Sequence, residues 1–237
     1  MVRGPPAAAA LSLGPSAPDA AEACPAPRRH RLDPLEPRQG WRSRIPPVRL
    51  MVDDFAPIRT DRLMLRRFAA RDAAAFQAYR DDPEVARWQG WESCSREAAE
   101  AFVAGMAVAA YGVPGEWLQV AVADRADDRL LGDIGVHMLA GEPRLVELGA
   151  TFATGSQGRG LATEALDALI RRLFAEEGRH RLQASIDPRN TRSAALFGRL
   201  GFRREAHFRR SVWAKGEWCD DVVYALLGEE WSGRHAG

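Results

Sequence analysis

The chain has 237 residues, enough for one compact domain with a sizeable core, and 46% of them are apolar. Acidic and basic side chains nearly cancel to a formal charge of +1, so no chain-wide field exists to hold a nucleic-acid backbone or an anionic membrane. The three cysteines, Cys24, Cys94 and Cys219, lie far apart without CxxC spacing, which excludes a structural zinc site and fits a reducing cytoplasm; no metal is expected.

Residues 1–50 are rich in Pro, Ala and Arg and carry neither helical nor strand periodicity, so this segment is expected to be disordered. The AAAALSL run after Arg3 is too short and Ala-weighted for a good secretory h-region, and Met51, just before the ordered patterning, is the expected true start. The longest apolar stretch, around Phe102 to Val113, is shorter than the roughly 20 residues of a spanning helix, so no membrane partner is expected.

One domain is expected over 56–231. Ile58 to Phe68 alternates as a first strand, with Leu63 and Leu65 on one face. RDAAAFQAYRDD then gives a short amphipathic helix stopped by Pro83, and a loop with Trp88 and Trp91 leads to a second helix opened by Ser95 and running to about Ala110. Trp117 to Ala123, Leu130 to Met138 and Leu145 to Thr154 read as a meander of antiparallel strands. Leu161, Ala165, Leu166, Leu169, Ile170, Leu173 and Phe174 form one stripe of a helix ending near Gly178. A strand from Leu182 to Ile186, a helix from Thr191 to Leu200 and strands near Phe202 to Phe208 and Cys219 to Leu226 complete a mixed α/β (α+β) pattern. The sheet is expected to be mostly antiparallel.

The most informative segment is TFATGSQGRGLATEALDALI, a strand passing through a glycine-rich turn into a helix. Such a junction binds anions, because main-chain N–H groups at the helix start lack intrahelical partners and the helix dipole is positive there. Gly158 and Gly160 allow close approach, and Arg159 adds charge. A Walker A loop would need Lys followed by Ser or Thr where Leu161-Ala162 stands, and a dinucleotide fingerprint would want a glycine at Thr163.

QGRGLA, Gln157 to Ala162, resembles the Q/R-x-x-G-x-G/A signature of the GNAT acetyltransferases, and the order of elements from Ile58 to Leu226 is similar to theirs. The ATEAL, DPRNTRSAALFGRLGF and DDVVYAL segments resemble the RimJ/RimL-like subgroup, which acetylates N-termini of ribosomal proteins. The resemblance implies a sheet of about seven strands flanked by four helices, and an acetyl-CoA-dependent N-acetyltransferase. It further implies that Gln157, Gly158, Arg159, Gly160, Leu161, Ala162 and Thr163 wrap the CoA pyrophosphate. Phe152, Ala153 and Thr154 would offer main-chain groups to the pantetheine and thioester, Asn190 and Ser193 would face the cofactor, and Phe197 would pack along it.

Transfer by direct attack needs an unprotonated amine. An α-amine, with pKa about 8, needs only weak help, whereas a lysine near about 10.4 needs a real base. Two carboxylates are candidates, Glu147 on the strand before the turn and Glu205 in GFRREA, where the RimL-like pattern places its Glu; Glu205 is slightly preferred, and for each an ion-paired strand carboxylate is the plain alternative. Phe197 stands where many relatives of this family carry Tyr, which leaves Ser193 as candidate acid, with a helix-capping role as its alternative. Trp88 and Trp91 would line an acceptor groove or simply fill core. His137 and Cys219 read as structural. The favoured acceptor is a protein N-terminal amine; a small amine such as an aminoglycoside or polyamine is the runner-up, and a non-catalytic acyl-CoA sensor is the reading from another class. Pairing into a homodimer is expected from the family's habit alone.

Overall fold

The computed structural model describes residues 55–91 and 93–235; the expected disordered extension over 1–50 and the Met51 start lie outside the described residues. Eight strands form one sheet in the order β1-β2-β3-β4-β5-β6-β8-β7: β1 Ile58–Arg59, β2 Leu63–Arg66, β3 Trp117–Asp124, β4 Leu130–Leu139, β5 Glu142–Phe152, β6 Arg181–Ile186, β7 Arg203–Ala214 and β8 Glu217–Leu227. Every pairing is antiparallel except β5 with β6. The helices are α1 Ala73–Arg80, α2 Pro83–Ala86, α3 Arg96–Val108, α4 Leu161–Arg171, α5 Thr191–Arg199 and α6 Gly228–His235.

The mostly antiparallel sheet with flanking helices agrees with the sequence pattern, and the differences have local causes. The first expected strand is split in two because the Thr60 hydroxyl accepts the Leu63 N–H (2.9 Å) and folds the chain into a tight turn. Asp82 caps a one-turn α2, its side chain accepting from Glu84 N with Pro83 at the first helical position. Ser95 caps α3 as expected, accepting from Ala98 N at 3.2 Å. The third strand of the meander ends at Phe152, since Thr154–Ser156 is already a 3-10 turn.

Alternation along β3 separates the two faces. Leu118, Val120 and Val122 pack with Val146, Leu148, Leu182 and Ile186 under the apolar stripe of α4 and Phe197 of α5. Ala121, on the opposite face, joins Phe76, Tyr79, Val103 and Trp91 under α1 and α3. That second layer contains a buried polar knot. Asp133 on β4 accepts the Tyr79 hydroxyl at 2.5 Å and pairs with Arg80 at 3.0 Å, with both charged side chains 2% exposed. Burial, then the adjacent Asp133 charge, pushes the Tyr79 phenol well above its ordinary pKa, so it stays a hydrogen-bond donor.

Candidate active site

Strand β5 has two different neighbours. With β4 it pairs from Leu139↔Glu142 through to Gly132↔Phe152, the whole length of the strand. With β6 it pairs at Leu145↔Arg181, Val146↔Leu182 and Glu147↔Gln183, and the ladder stops there although both strands continue. A cleft opens beyond the last rung. Leu148, Gly149, Ala150 and Thr151 form one bank, and Ser185, Ile186 and Asp187 the other.

On the α4–α5 side, the turn after β5 is built as the sequence suggests. Gly158 and Gly160 have φ of 73° and 75°, a left-handed conformation that disfavours any side chain. A Cβ on Gly158 would meet nothing within 4 Å, so the backbone there faces open space. The first intrahelical bond of α4 runs from Glu164 N to Gly160 O (3.1 Å), leaving the N–H groups of Leu161, Ala162 and Thr163 as the unpaired start of the helix. Leu161 itself is 3% exposed, so its side chain belongs to the core and only its main chain can face a ligand.

Glu164, in the first turn of α4, ties this helix start to the β1–β2 turn. It accepts from the Thr60 hydroxyl (2.5 Å) and Arg62 N (2.9 Å) and pairs with the Arg62 guanidinium (2.6 Å). Arg62 also donates to the Arg159 carbonyl at 3.0 Å. Partial burial works to raise the Glu164 pKa, but the bonds from Thr60 and Arg62 outweigh it and hold the carboxyl below its ordinary value.

In 152–154, the segment expected to offer main-chain groups to the cofactor, several of those groups are already bonded within the protein. Phe152 is buried, and its carbonyl is taken by the Gln157 side-chain amide at 2.9 Å. Ala153 donates to Leu131 O and accepts from Ser156 N, and the Thr154 carbonyl accepts from Gln157 N. The Thr154 hydroxyl donates to Asp82 at 2.5 Å, the bond that contributes most to lowering the Asp82 pKa. The turn consumes most of these groups, so the edge of β5 that faces the cleft is Leu148 to Thr151.

From α5, Asn190, Ser193 and Phe197 line the cleft. Asn190 caps the helix, its side-chain oxygen accepting from Ser193 N at 3.1 Å. Phe197 is 2% exposed and packs edge-on against Phe202, so it closes the floor from the core side.

On the α1–α3 side, Trp88 and Trp91 both reach the cleft, together with Trp117, Gln119 and Arg80. Trp91 is buried and pinned: its indole N–H donates to the Arg80 carbonyl (3.0 Å), and the Arg80 guanidinium sits 3.7 Å above its ring. Lys215 in the β7–β8 turn donates to the Trp91 carbonyl at 2.9 Å. Trp117 stacks on His137 at 4.8 Å and lies across Gly135, where a Cβ would come within 2.9 Å of its ring. Burial lowers the His137 pKa, opposed by a Gly115 hydrogen bond and the Glu116 charge, which keeps this ring neutral and structural near neutral pH. Gly149, opposite Gly135 in register, would place a Cβ in open space. The sequence reading missed Trp117 and this glycine pair, whose only sequence signal is the recurrence of glycine inside two apolar strands.

The two candidate carboxylates separate. Glu147 lines the cleft at the last β5–β6 rung. Glu205 does not line it: it sits at the bulge of β7, paired with Arg181 at 2.7 Å. Strand β8 lies between β6 and β7, which sets Glu205 roughly two strand spacings, or about 10 Å, from β6. Glu205 was preferred for its place in the RimL-like pattern; what the structure shows of it is the ion pair of the plain alternative.

The geometry has close counterparts among known proteins. The family model described as acetyltransferase (GNAT) domain matches residues 62–203. An uncharacterized N-acetyltransferase of Bacillus subtilis, YnaD, is 33% identical over 175 residues, covering 74% of this chain and 99% of that protein. The ribosomal protein uS5-alanine N-acetyltransferase of Escherichia coli is 28% identical, covering 81% of this chain and 97% of its own. The structure of RimJ from Mycobacterium smegmatis in complex with CoA-disulfide superposes with a TM-score of 0.63 at 26% identity, covering 74% of this chain and 87% of that one.

Proposed function

The chain belongs to the GNAT acetyltransferase family, and from that premise we propose that it acetylates protein N-terminal α-amines as a RimJ/RimL-like enzyme with Glu147 as its base. As a family member it is an acetyl-CoA-dependent N-acetyltransferase. The observation that carries the reading is the seam between β5 and β6, which stops after three rungs at Glu147 and opens into the cleft there.

The residues present fit acetyl-CoA. Main-chain N–H groups from Leu161 to Thr163 and the two left-handed glycines form a cradle for a diphosphate, with free space where a Gly158 side chain would stand. Arg159 is exposed beside it. The unpartnered edge of Leu148 to Thr151 offers main-chain bonds to an extended amide chain, and the Ser193 hydroxyl faces the same cleft. When bound, the co-substrate supplies an acetyl group activated as a thioester.

Glu147 then takes the proton that the attacking nitrogen must lose, directly or through one water. An α-amine with pKa about 8 suits this modest base, since much of it is already neutral near pH 7–8. Ser193, which lines the same cleft, would donate a hydrogen bond from its hydroxyl to the departing sulfur. Flat aromatic walls from Trp88 and Trp117 suit a peptide backbone. Among the described residues the acidity a polycation would need is thin: two carboxylates line the cleft, Glu147 and Asp187, and Asp187 is already bound by Arg189 at 2.7 Å.

Release of CoA from acetyl-CoA, followed with N-terminal peptides, polyamines and aminoglycosides side by side, tests the proposal. Turnover restricted to peptides, and lost in Glu147→Gln, is the expected result. Turnover restricted to polyamines or aminoglycosides overturns the acceptor assignment. Stabilisation by CoA without thiol release from any amine would make the chain a non-catalytic acyl-CoA module.

A further inference from the structure

One polar side chain in the cleft is almost wholly enclosed and unmatched. Gln119 on β3 is 3% exposed and lines the cleft, and among the described residues its side-chain amide has no hydrogen-bond partner. A buried amide without a partner is costly and rare in protein cores.

The register of three strands shows where this amide points. Gln119 pairs with Gly135 on β4, and Gly135 with Gly149 on β5, so the three form one row across a single face of the sheet. A Cβ on Gly135 would meet Gln119 Nε2 at 2.9 Å and the Trp117 ring at 2.9 Å, so the amide reaches over Gly135 beside the indole. Gly149 comes next in the row, one strand spacing or about 5 Å farther on. Open space stands where its side chain would be. The two glycines make a trough that runs from the β5–β6 opening to the Gln119 amide.

The trough is blind. Gln119 closes its end, Trp117 fills one side, and Trp91, 2% exposed, lines the same cleft from the α1–α3 side. A polypeptide cannot continue through a closed end, so an acceptor peptide leaves by the cleft mouth and only its first side chain enters. A row of glycines leaves room for a small one. At the closed end that side chain meets a group that can both donate and accept. Alanine offers it no partner, whereas serine offers a hydroxyl with one proton and two lone pairs.

We propose that Gln119 reads the first side chain of the acceptor, hydrogen-bonding the hydroxyl of an N-terminal serine and selecting it over alanine. This inference rests on the peptide-acceptor reading above. The selection has two sides: serine gains a bond, and alanine expels water from the trough while leaving the amide unpaired. The contact lies one strand away from the gap where the thioester would be attacked, so it acts on binding and leaves the chemical step alone.

Two peptides that differ only in a first residue of serine or alanine test this, with wild type, Gln119→Met and Gln119→Glu. CoA release gives kcat and KM, and calorimetry with CoA present gives peptide Kd. Wild type should favour the serine peptide by on the order of tenfold, carried by KM and Kd rather than by kcat. Gln119→Met keeps the length and removes the amide; it should lower kcat/KM for serine about tenfold more than for alanine, erasing the preference. It should also hold or raise the melting temperature, because an apolar group of similar shape replaces an unmatched polar one. Gln119→Glu, which can still accept the serine proton, should retain part of the preference.

Equal wild-type efficiency on the two peptides, or a preference for alanine, overturns the inference without any variant. So does an equal loss on both peptides in Gln119→Met, which would put the amide on the acetyl group or the peptide main chain. A lowered melting temperature with the preference intact would make Gln119 a structural residue. Wild type that binds CoA yet acetylates neither peptide overturns the acceptor reading itself, an outcome distinct from these.

Discussion

The two seams of β5 are made of similar residues and behave differently. Toward β4 the strand is sealed along its whole length, and the seam is locked from above by the Tyr79–Asp133–Arg80 knot and by Gly132, whose hydrogen lies against the Thr151 carbonyl. Toward β6 it is zipped for three rungs and then released. A rigid half of a sheet holds one bank in place so that the other half can leave a gap without collapsing, and Glu147, the base proposed above, lies where the ladder ends.

The contrast is tested most severely by Asp133→Ala. Loss of that carboxylate takes the 3.0 Å ion pair from the buried Arg80 and the acceptor from the Tyr79 hydroxyl, and denaturant unfolding should register a loss of about 3–5 kcal/mol. Next in size is a matched pair of substitutions. Gly132→Ala would bring a Cβ within 2.8 Å of Phe152 Cα and should cost about 1–3 kcal/mol. Gly149→Ala places its methyl in open cleft, and should leave the midpoint within about 0.5 kcal/mol of wild type while lowering kcat/KM. Equal stability losses from both would contradict the difference between the seams.

Smaller effects sharpen the open side. Gly158→Ala forces a side chain into a left-handed backbone at φ 73° and should cost about 1–2 kcal/mol, with weakened CoA binding seen by calorimetry. Smallest is a pH effect at Glu164. Its folded pKa is depressed, so its contribution to stability is present above the ordinary glutamate pKa and fades as pH falls through the folded value. Glu164→Gln should therefore lower the melting temperature near neutrality and flatten its decline in acid; an unchanged acid limb would argue against the Thr60–Arg62–Glu164 tie.

Local chemistry was readable from the sequence. The Ser95 cap, the α4 stripe and the left-handed glycines at 158 and 160 depend on residues within a few positions of one another, and each is where the pattern puts it. The place of Glu147 in the cleft was readable for the same reason, as a carboxylate alternating with Val146 and Leu148 on one strand. What failed depends on which strand meets which. The distance of Glu205 from the β5–β6 opening was not legible, because insertion of β8 between β6 and β7 leaves no local trace. Trp117 over Gly135, and the clear space at Gly149, arise only from the register of three strands. The α6 helix was missed because Gly228, two acids and one Trp give little periodic signal; it is fastened from outside by the Arg203–Glu230 pair.

Lys215, which anchors its turn to the Trp91 carbonyl, is also the single lysine among 33 basic residues in the chain. Thioesters acylate exposed neutral amines without any catalyst, whereas a guanidinium keeps its proton at every physiological pH and is inert to them. A protein that handles such a reagent with arginine in place of lysine presents it with a single side-chain amine, and that one is hydrogen-bonded to the Trp91 carbonyl.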